Sequence, residues 1–179
     1  MKLGARVFGA VALLLLLFLL AGLLLPGRWE ARTEALLPCP PDDVFPYLAE
    51  MEAWTLWNTM PDSGLTTVGP ASGEGAGLRW DDPRYGSGEM RVVRSRPPRE
   101  LRYEVSMEGG DLQVRGILHL EERDGRTRLV WTEVGDFGWN PLLGYAARGM
   151  ARSQARAMEE SLASLARLLQ EEGEGLNPP

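Results

Sequence analysis

The sequence predicts an α+β domain, an antiparallel sheet with one long C-terminal helix lying on it, preceded by a single apolar helix. Three observations predict it. Residues Val7 to Leu25 form an uninterrupted apolar run; the apolar period then falls from 3.6 to 2 through the middle of the chain; and three- and four-residue spacing returns between Leu143 and Leu169.

The first run, VFGAVALLLLLFLLAGLLL, holds nineteen residues without a charge or an amide. At ~1.5 Å rise per residue such a helix covers a hydrocarbon core of ~30 Å. A cleaved secretory signal has a shorter apolar region followed by a small-x-small site, whereas this run ends Leu24-Leu25-Pro26-Gly27. Residues 1–27 are therefore read as a retained transmembrane anchor, 28–170 as the folded domain and 171–179 as a disordered tail. Lys2 and Arg6 precede the span with no acid, while Arg28 and Arg32 beyond it are interleaved with Glu30 and Glu34. That bias favours a cytoplasmic N-terminus and an extracytoplasmic domain. Trp29 suits an interfacial aromatic belt, and a linker of about ten residues, Leu25 to Ala35, is expected to lead into the domain.

Charge excludes one class of partner. Setting Lys2 and Arg6 aside from 19 basic residues leaves 17 against 25 acids, so the chain beyond the anchor carries −8. Phosphate contacts dominate nucleic-acid affinity and need clustered positive charge, so no nucleic-acid partner is expected. Cys39 is the only cysteine, which rules out an intrachain disulfide, and Leu37-Pro38 before it lacks the small residue of a lipidation site.

Along the domain, Trp29 to Leu37 reads as a first strand stopped by Pro38, Pro40 and Pro41. Asp42 and Asp43 then open a short helix with Val44, Phe45, Tyr47, Leu48 and Met51 at helical spacing, and Ala53 to Asn58 supplies a second. Asp62 to Gly77 is rich in Gly, Ser and Thr and holds at most one weak strand near Leu65 to Val68. Strands follow at Ala76 to Trp80 and Gly86 to Ser95. Leu101, Tyr103, Val105 and Met107 alternate with polar residues, as do Leu112, Val114, Leu118 and Leu120 around Gly116. Asp124-Gly125 marks a hairpin before Thr127 to Val134. Asn140-Pro141 opens the last helix, whose stripe of Leu143, Ala147, Met150, Met158, Leu162, Leu165 and Leu169 must lie on the sheet. Gln154 interrupts that stripe, either facing a cavity or overhanging the sheet edge.

This order, and above all Pro40-Pro-Asp-Asp-Val-Phe-Pro-Tyr-Leu-Ala49 with Met51-Glu-Ala-Trp-Thr-Leu-Trp-Asn58, resembles the START-type helix-grip superfamily, also called SRPBCC, in its polyketide cyclase/dehydrase-like branch. Gly75-Ala-Gly-Leu-Arg-Trp80, Gly86-Ser-Gly-Glu-Met90, Ser95-Arg-Pro-Pro98 and Thr127-Arg-Leu-Val-Trp131-Thr are similar to that branch's successive strand phrases. The resemblance covers Glu34 to Leu169. It implies a curved antiparallel sheet wrapped around the C-terminal helix, with a cavity between them that holds an apolar or amphipathic small molecule.

Catalytic groups are sparse. His119 falls on the polar face of its strand, and a zinc site would have to be built mostly from carboxylates, so neither metal nor cofactor is predicted. Gly73-Glu-Gly-Ala-Gly77 lacks the Lys-Ser/Thr ending of a phosphate loop and reads as a strand connection. Glu133 and Asp136, beside Phe137 and Trp139, are conceivable bases if burial raises their pKa, or ordinary turn residues. Candidate ligand-binding residues are Trp57, Trp80, Met90, Tyr103 and Trp131, with Gln154; plain core packing is the alternative. The expected function is a membrane-tethered module binding an apolar or lipid-like molecule. A cyclase/dehydrase-like enzyme and a ligand-free protein-interaction module with a closed core are the alternatives.

Overall fold

A computed structural model describes residues 2–25, 27–61, 64–84, 86–107, 112–138 and 142–175. Helix α1 (Lys2–Leu24) precedes strand β1 (Arg28–Leu37), helices α2 (Pro41–Ala49) and α3 (Trp54–Trp57), strands β2 (Thr66–Val68), β3 (Gly77–Asp82), β4 (Gly86–Arg96), β5 (Glu100–Met107), β6 (Gln113–Arg123) and β7 (Arg126–Asp136), and helix α4 (Leu143–Gly175). The strands form one antiparallel sheet in the order β1-β7-β6-β5-β4-β3-β2, so the first strand closes against the last and the rest is a meander. Helix α4 lies on the sheet and packs most closely on β1, and the domain is a helix-grip fold.

Period 2 is what places the core. In β1, Trp29, Ala31, Thr33 and Leu37 face inward while Arg28, Glu30, Arg32 and Glu34 face out. In β6, Val114, Leu118 and Leu120 share the buried face with Gly116, and in β7 so do Thr127, Leu129, Trp131, Glu133 and Gly135. Asp124 and Gly125 both have positive φ, 52° and 74°, the two-residue turn that matches strand twist between β6 and β7. Only a glycine or a residue tolerant of the left-handed region fits there.

Three inward aromatic rings lie directly opposite a glycine on the neighbouring strand: Trp29 opposite Gly135, Tyr103 opposite Gly116, and Trp80 opposite Gly88. A Cβ at those glycines would fall 2.1 Å from the Trp29 ring, 2.0 Å from the Tyr103 ring and 2.4 Å from the Trp80 ring. Each ring therefore lies down over bare backbone instead of standing away from the sheet.

Two expectations change here. No ten-residue linker separates α1 from the domain: β1 begins at Arg28, and the Gly27 carbonyl accepts a hydrogen bond from the Phe137 amide (3.1 Å). Helix α1 also touches α4, where Tyr145 Oη donates to the Phe18 carbonyl (2.7 Å), the two rings stack at 4.6 Å, and Gly144 sits against Gly22 and Leu25. At the other end, α4 continues through Gly175 instead of stopping at Gln170, and Tyr47 of α2 donates to Glu172, so Glu171 to Gly175 belong to the helix. The expected helix start at Asn140-Pro141 lies outside the described residues. Among the described residues, Val7–Leu24 is a helix long and apolar enough to cross a membrane.

The ring-over-glycine pairing predicts that Gly116→Ala destabilises the domain by about 1–3 kcal/mol, because the Tyr103 ring is pinned and buried. Gly149→Ala, on an exposed turn of α4 with open space around its missing Cβ, should stabilise it by up to about 1 kcal/mol. Chemical denaturation of both variants measures the difference, and equal behaviour would show that the pairing carries no energy.

Candidate functional site

Between the concave face of the sheet and α4 lies a cavity of about 630 Å³. Its sheet side is Trp29, Trp80, Met90, Tyr103, Val114 and Trp131; its helix side is Met150, Gln154, Ala157 and Met158; Asn58 to Pro61 and Ser161 form the rim. The rim segment is tied to α4 by the Thr59 amide, which donates to Ser161 Oγ (3.2 Å). Ser161 Oγ donates in turn to the Ala157 carbonyl (2.8 Å). A volume of this size suits a ligand of drug-like dimensions, and the walls are mostly apolar with a few convergent polar groups.

Those polar groups form a chain. Trp131 Nε1 donates to Tyr103 Oη (2.9 Å), Tyr103 Oη donates to Glu133 Oε1, and Gln154 Nε2 donates to Glu133 Oε2 (2.6 Å). Tyr103 of β5 reaches across Gly116 of β6 to Trp131 and Glu133, successive inward positions of β7, and α4 brings Gln154 down onto them. Glu133 is only 4% exposed. Burial pushes its carboxyl above the usual range, and the hydrogen bonds from Tyr103 and Gln154 pull it partly back. Burial and the neighbouring Glu133 hold the Tyr103 hydroxyl well above its ordinary pKa, so Tyr103 stays a neutral donor. The indole N–H groups of Trp29 and Trp80 are buried with no partner among the described residues, a cost of about 1–3 kcal/mol each that the packing of their rings must offset.

Of the residues singled out in the sequence, Trp80, Met90, Tyr103, Trp131 and Gln154 are brought together around this cavity. Trp57 is not. It packs behind Trp54 and Trp131 and donates to the Tyr47 carbonyl (3.0 Å), because a four-residue helix turns Trp54, not Trp57, toward the opening. Trp29 is a cavity wall at 5% exposure, not a membrane-interface residue. Glu133 shares strand parity with Leu129 and Trp131, the signal that locates it inside. Asp136 has the opposite parity and pairs with Arg28 (2.9 Å) on the surface. His119 points outward near Glu121, and Trp139 lies outside the described residues. Cys39 is half-buried, with its carbonyl accepting from Thr127 Oγ1 (2.7 Å). Gly73 and Gly75, both at positive φ, sit in the connection that leads into β3, and no helix opens there. Among the described residues no cluster of three or more His, Cys, Asp or Glu is arranged to hold a metal ion.

Residues 28–170 match the family described as polyketide cyclase/dehydrase and lipid transport. No curated protein matches the sequence. Several solved structures share the fold at low identity. DynU16, a protein of the dynemicin biosynthetic locus, is 18% identical with a TM-score of 0.57; the alignment covers 79% of this chain and 47% of that one, so this chain spans about half its length. CalU16 from Micromonospora echinospora is 18% identical with a TM-score of 0.51, covering 83% of this chain and 93% of the other. A protein of unknown function from Staphylococcus aureus is 12% identical with a TM-score of 0.63, covering 82% and 96%. At these identities the likeness concerns fold alone.

The buried carboxyl sets a pH dependence. Between the ordinary glutamate pKa and the raised native value, the native state binds more protons than the unfolded chain, so stability falls as pH rises through that window. Glu133→Gln removes this contribution. Melting of both proteins from about pH 4 to pH 8 should show the wild type losing stability relative to the variant as pH rises. Parallel curves would contradict the burial of a titrating Glu133.

Proposed function

This chain belongs to the polyketide cyclase/dehydrase and lipid transport family, and on that premise we propose that it is a membrane-tethered, non-catalytic module that holds an apolar small molecule between sheet and α4. The observation that carries the proposal is the open, aromatic-walled cavity with a hydrogen-bonded carboxyl in its wall. An interaction module with a closed core would fill that space with side chains, since protein interiors pack densely. Proposed ligand contacts are Trp80, Met90, Tyr103, Trp131 and Gln154, together with Trp29 and Glu133.

Tethering is the second half of the proposal. Helix α1 supplies the span, with the N-terminus in the cytoplasm and the domain on the far side. Because β1 starts directly after the anchor and Tyr145 contacts Phe18, the cavity is held at the bilayer surface, where a membrane-soluble molecule reaches a high effective concentration. Glu133 also favours a second reading, a cyclase/dehydrase-like enzyme, because a carboxyl with a raised pKa inside a cavity is suited to general-base chemistry.

Full-length protein recovered from carbonate-washed membranes, extracted with organic solvent and analysed by mass spectrometry, tests both halves. The expected result is an intact chain that resists the wash and yields a near-stoichiometric apolar compound, unchanged by incubation. A soluble chain lacking residues 1–27 contradicts the tether. Conversion of the compound into a new product, lost on Glu133→Gln, moves the assignment to the enzyme.

A further inference from the structure

The cavity has a sign. Its lining includes two carboxyl groups, Glu133 in the wall and Glu160 at the rim, and no Lys, Arg or His among the described residues. Carriers that hold fatty acids or phospholipids by their head compensate the anion with positive charge in a low-dielectric space, and among the described residues this lining offers neutral donors only. Glu133 instead offers acceptor capacity. Its Oε1 accepts one hydrogen bond from Tyr103 and its Oε2 one from Gln154, while a carboxylate has about four acceptor positions. The remaining positions belong to a carboxyl that is itself part of the cavity lining. Tyr103 is fixed as a donor to Glu133 by the Trp131 indole, which already occupies one lone pair of the hydroxyl oxygen. The arrangement presents a preorganised acceptor in a wall that is mostly apolar, with the other polar groups at Gln154 and along the rim.

Resting on the binding role proposed above, we infer that the cavity selects an apolar molecule whose polar end donates hydrogen bonds, an amine above all and an alcohol next, and that it rejects apolar carboxylates and phosphates. An ammonium seated on Glu133 makes a charge-assisted hydrogen bond and neutralises a carboxylate that has no cationic partner in the cavity. A carboxylate in the same place meets the like charge of Glu133 at close range. Glu160 at the rim, on a domain that carries −8, adds to this discrimination by repelling anions.

The test uses the full chain in nanodiscs of zwitterionic lipid, with empty nanodiscs subtracted, and three probes of one chain length: decylamine, decanol and decanoate. Competition against a neutral apolar dye gives the affinities. Decylamine is expected to bind about tenfold or more tighter than decanoate, with decanol between them. Glu133→Gln should weaken decylamine by about tenfold, strengthen decanoate and leave decanol within about threefold. The wild-type ranking stands without the variant, should Glu133→Gln fail to fold. Decanoate binding as tightly as decylamine, or a decylamine-to-decanoate ratio unmoved by Glu133→Gln, overturns the inference. Dye displaced by none of the three overturns the binding role itself.

Discussion

The cavity depends on three aromatic rings lying flat against the sheet. A tryptophan or tyrosine on an inward strand position normally projects into the space above it, where it would meet α4 and close the core. Here Trp29, Tyr103 and Trp80 each face a glycine across the ladder, and the missing Cβ lets the ring fold over onto the neighbouring backbone. The rings still bury most of their area, so the sheet keeps its apolar face. What they release is height, and α4 rests above them with about 630 Å³ left between. Gly144 permits a close approach of another kind, letting α4 meet the end of α1.

Onto this floor the chain Trp131, Tyr103, Glu133 and Gln154 adds direction. A buried carboxyl is costly, and an apolar residue at position 133 would pack more cheaply. Two donors satisfy one lone pair on each oxygen, and one of them comes from the helix, so the same hydrogen bond that stabilises the carboxyl also pins α4 over the cavity. The Thr59–Ser161 contact pins it again at the rim. Stability and recognition therefore draw on one set of groups, and the carboxyl is the member whose presence packing alone does not explain.

Much of this was legible in the sequence, for physical reasons that differ by element. The strands from Gly77 to Asp136 announce themselves because one face is wet and one dry, and Asp124-Gly125 fits only a tight left-handed turn. Gln154 stood out as a polar residue in an apolar stripe. Trp29 was misplaced because its nearness to the apolar run outweighed its parity with Ala31 and Thr33, and that parity is what buries it. Trp57 could not be told from Trp54, since they are the ends of a single four-residue turn, which does not fix which ring faces the cavity. Glu133 has the parity of Leu129 and Trp131, but its charge argued for solvent. The ring-over-glycine pairs were invisible because they depend on register between strands, which no single stretch of sequence contains. Glu171 to Gly175 lack apolar residues, yet a long helix propagates through them and Tyr47 holds Glu172.

The apolar helix and the cavity lie close together in the chain: α1 ends at Leu24, β1 begins at Arg28, and Trp29, the second residue of that strand, is already a wall of the cavity. The central claim is that a molecule occupies the space among Trp29, Trp54, Trp80 and Trp131. Quenching of indole fluorescence by a brominated apolar alcohol, measured on the full chain in nanodiscs and on Ala157→Phe, which fills the cavity from α4, tests it most directly. Saturable quenching near one equivalent is expected in the wild type, and its loss in Ala157→Phe. Quenching that never saturates, or that is the same in both proteins, would contradict it.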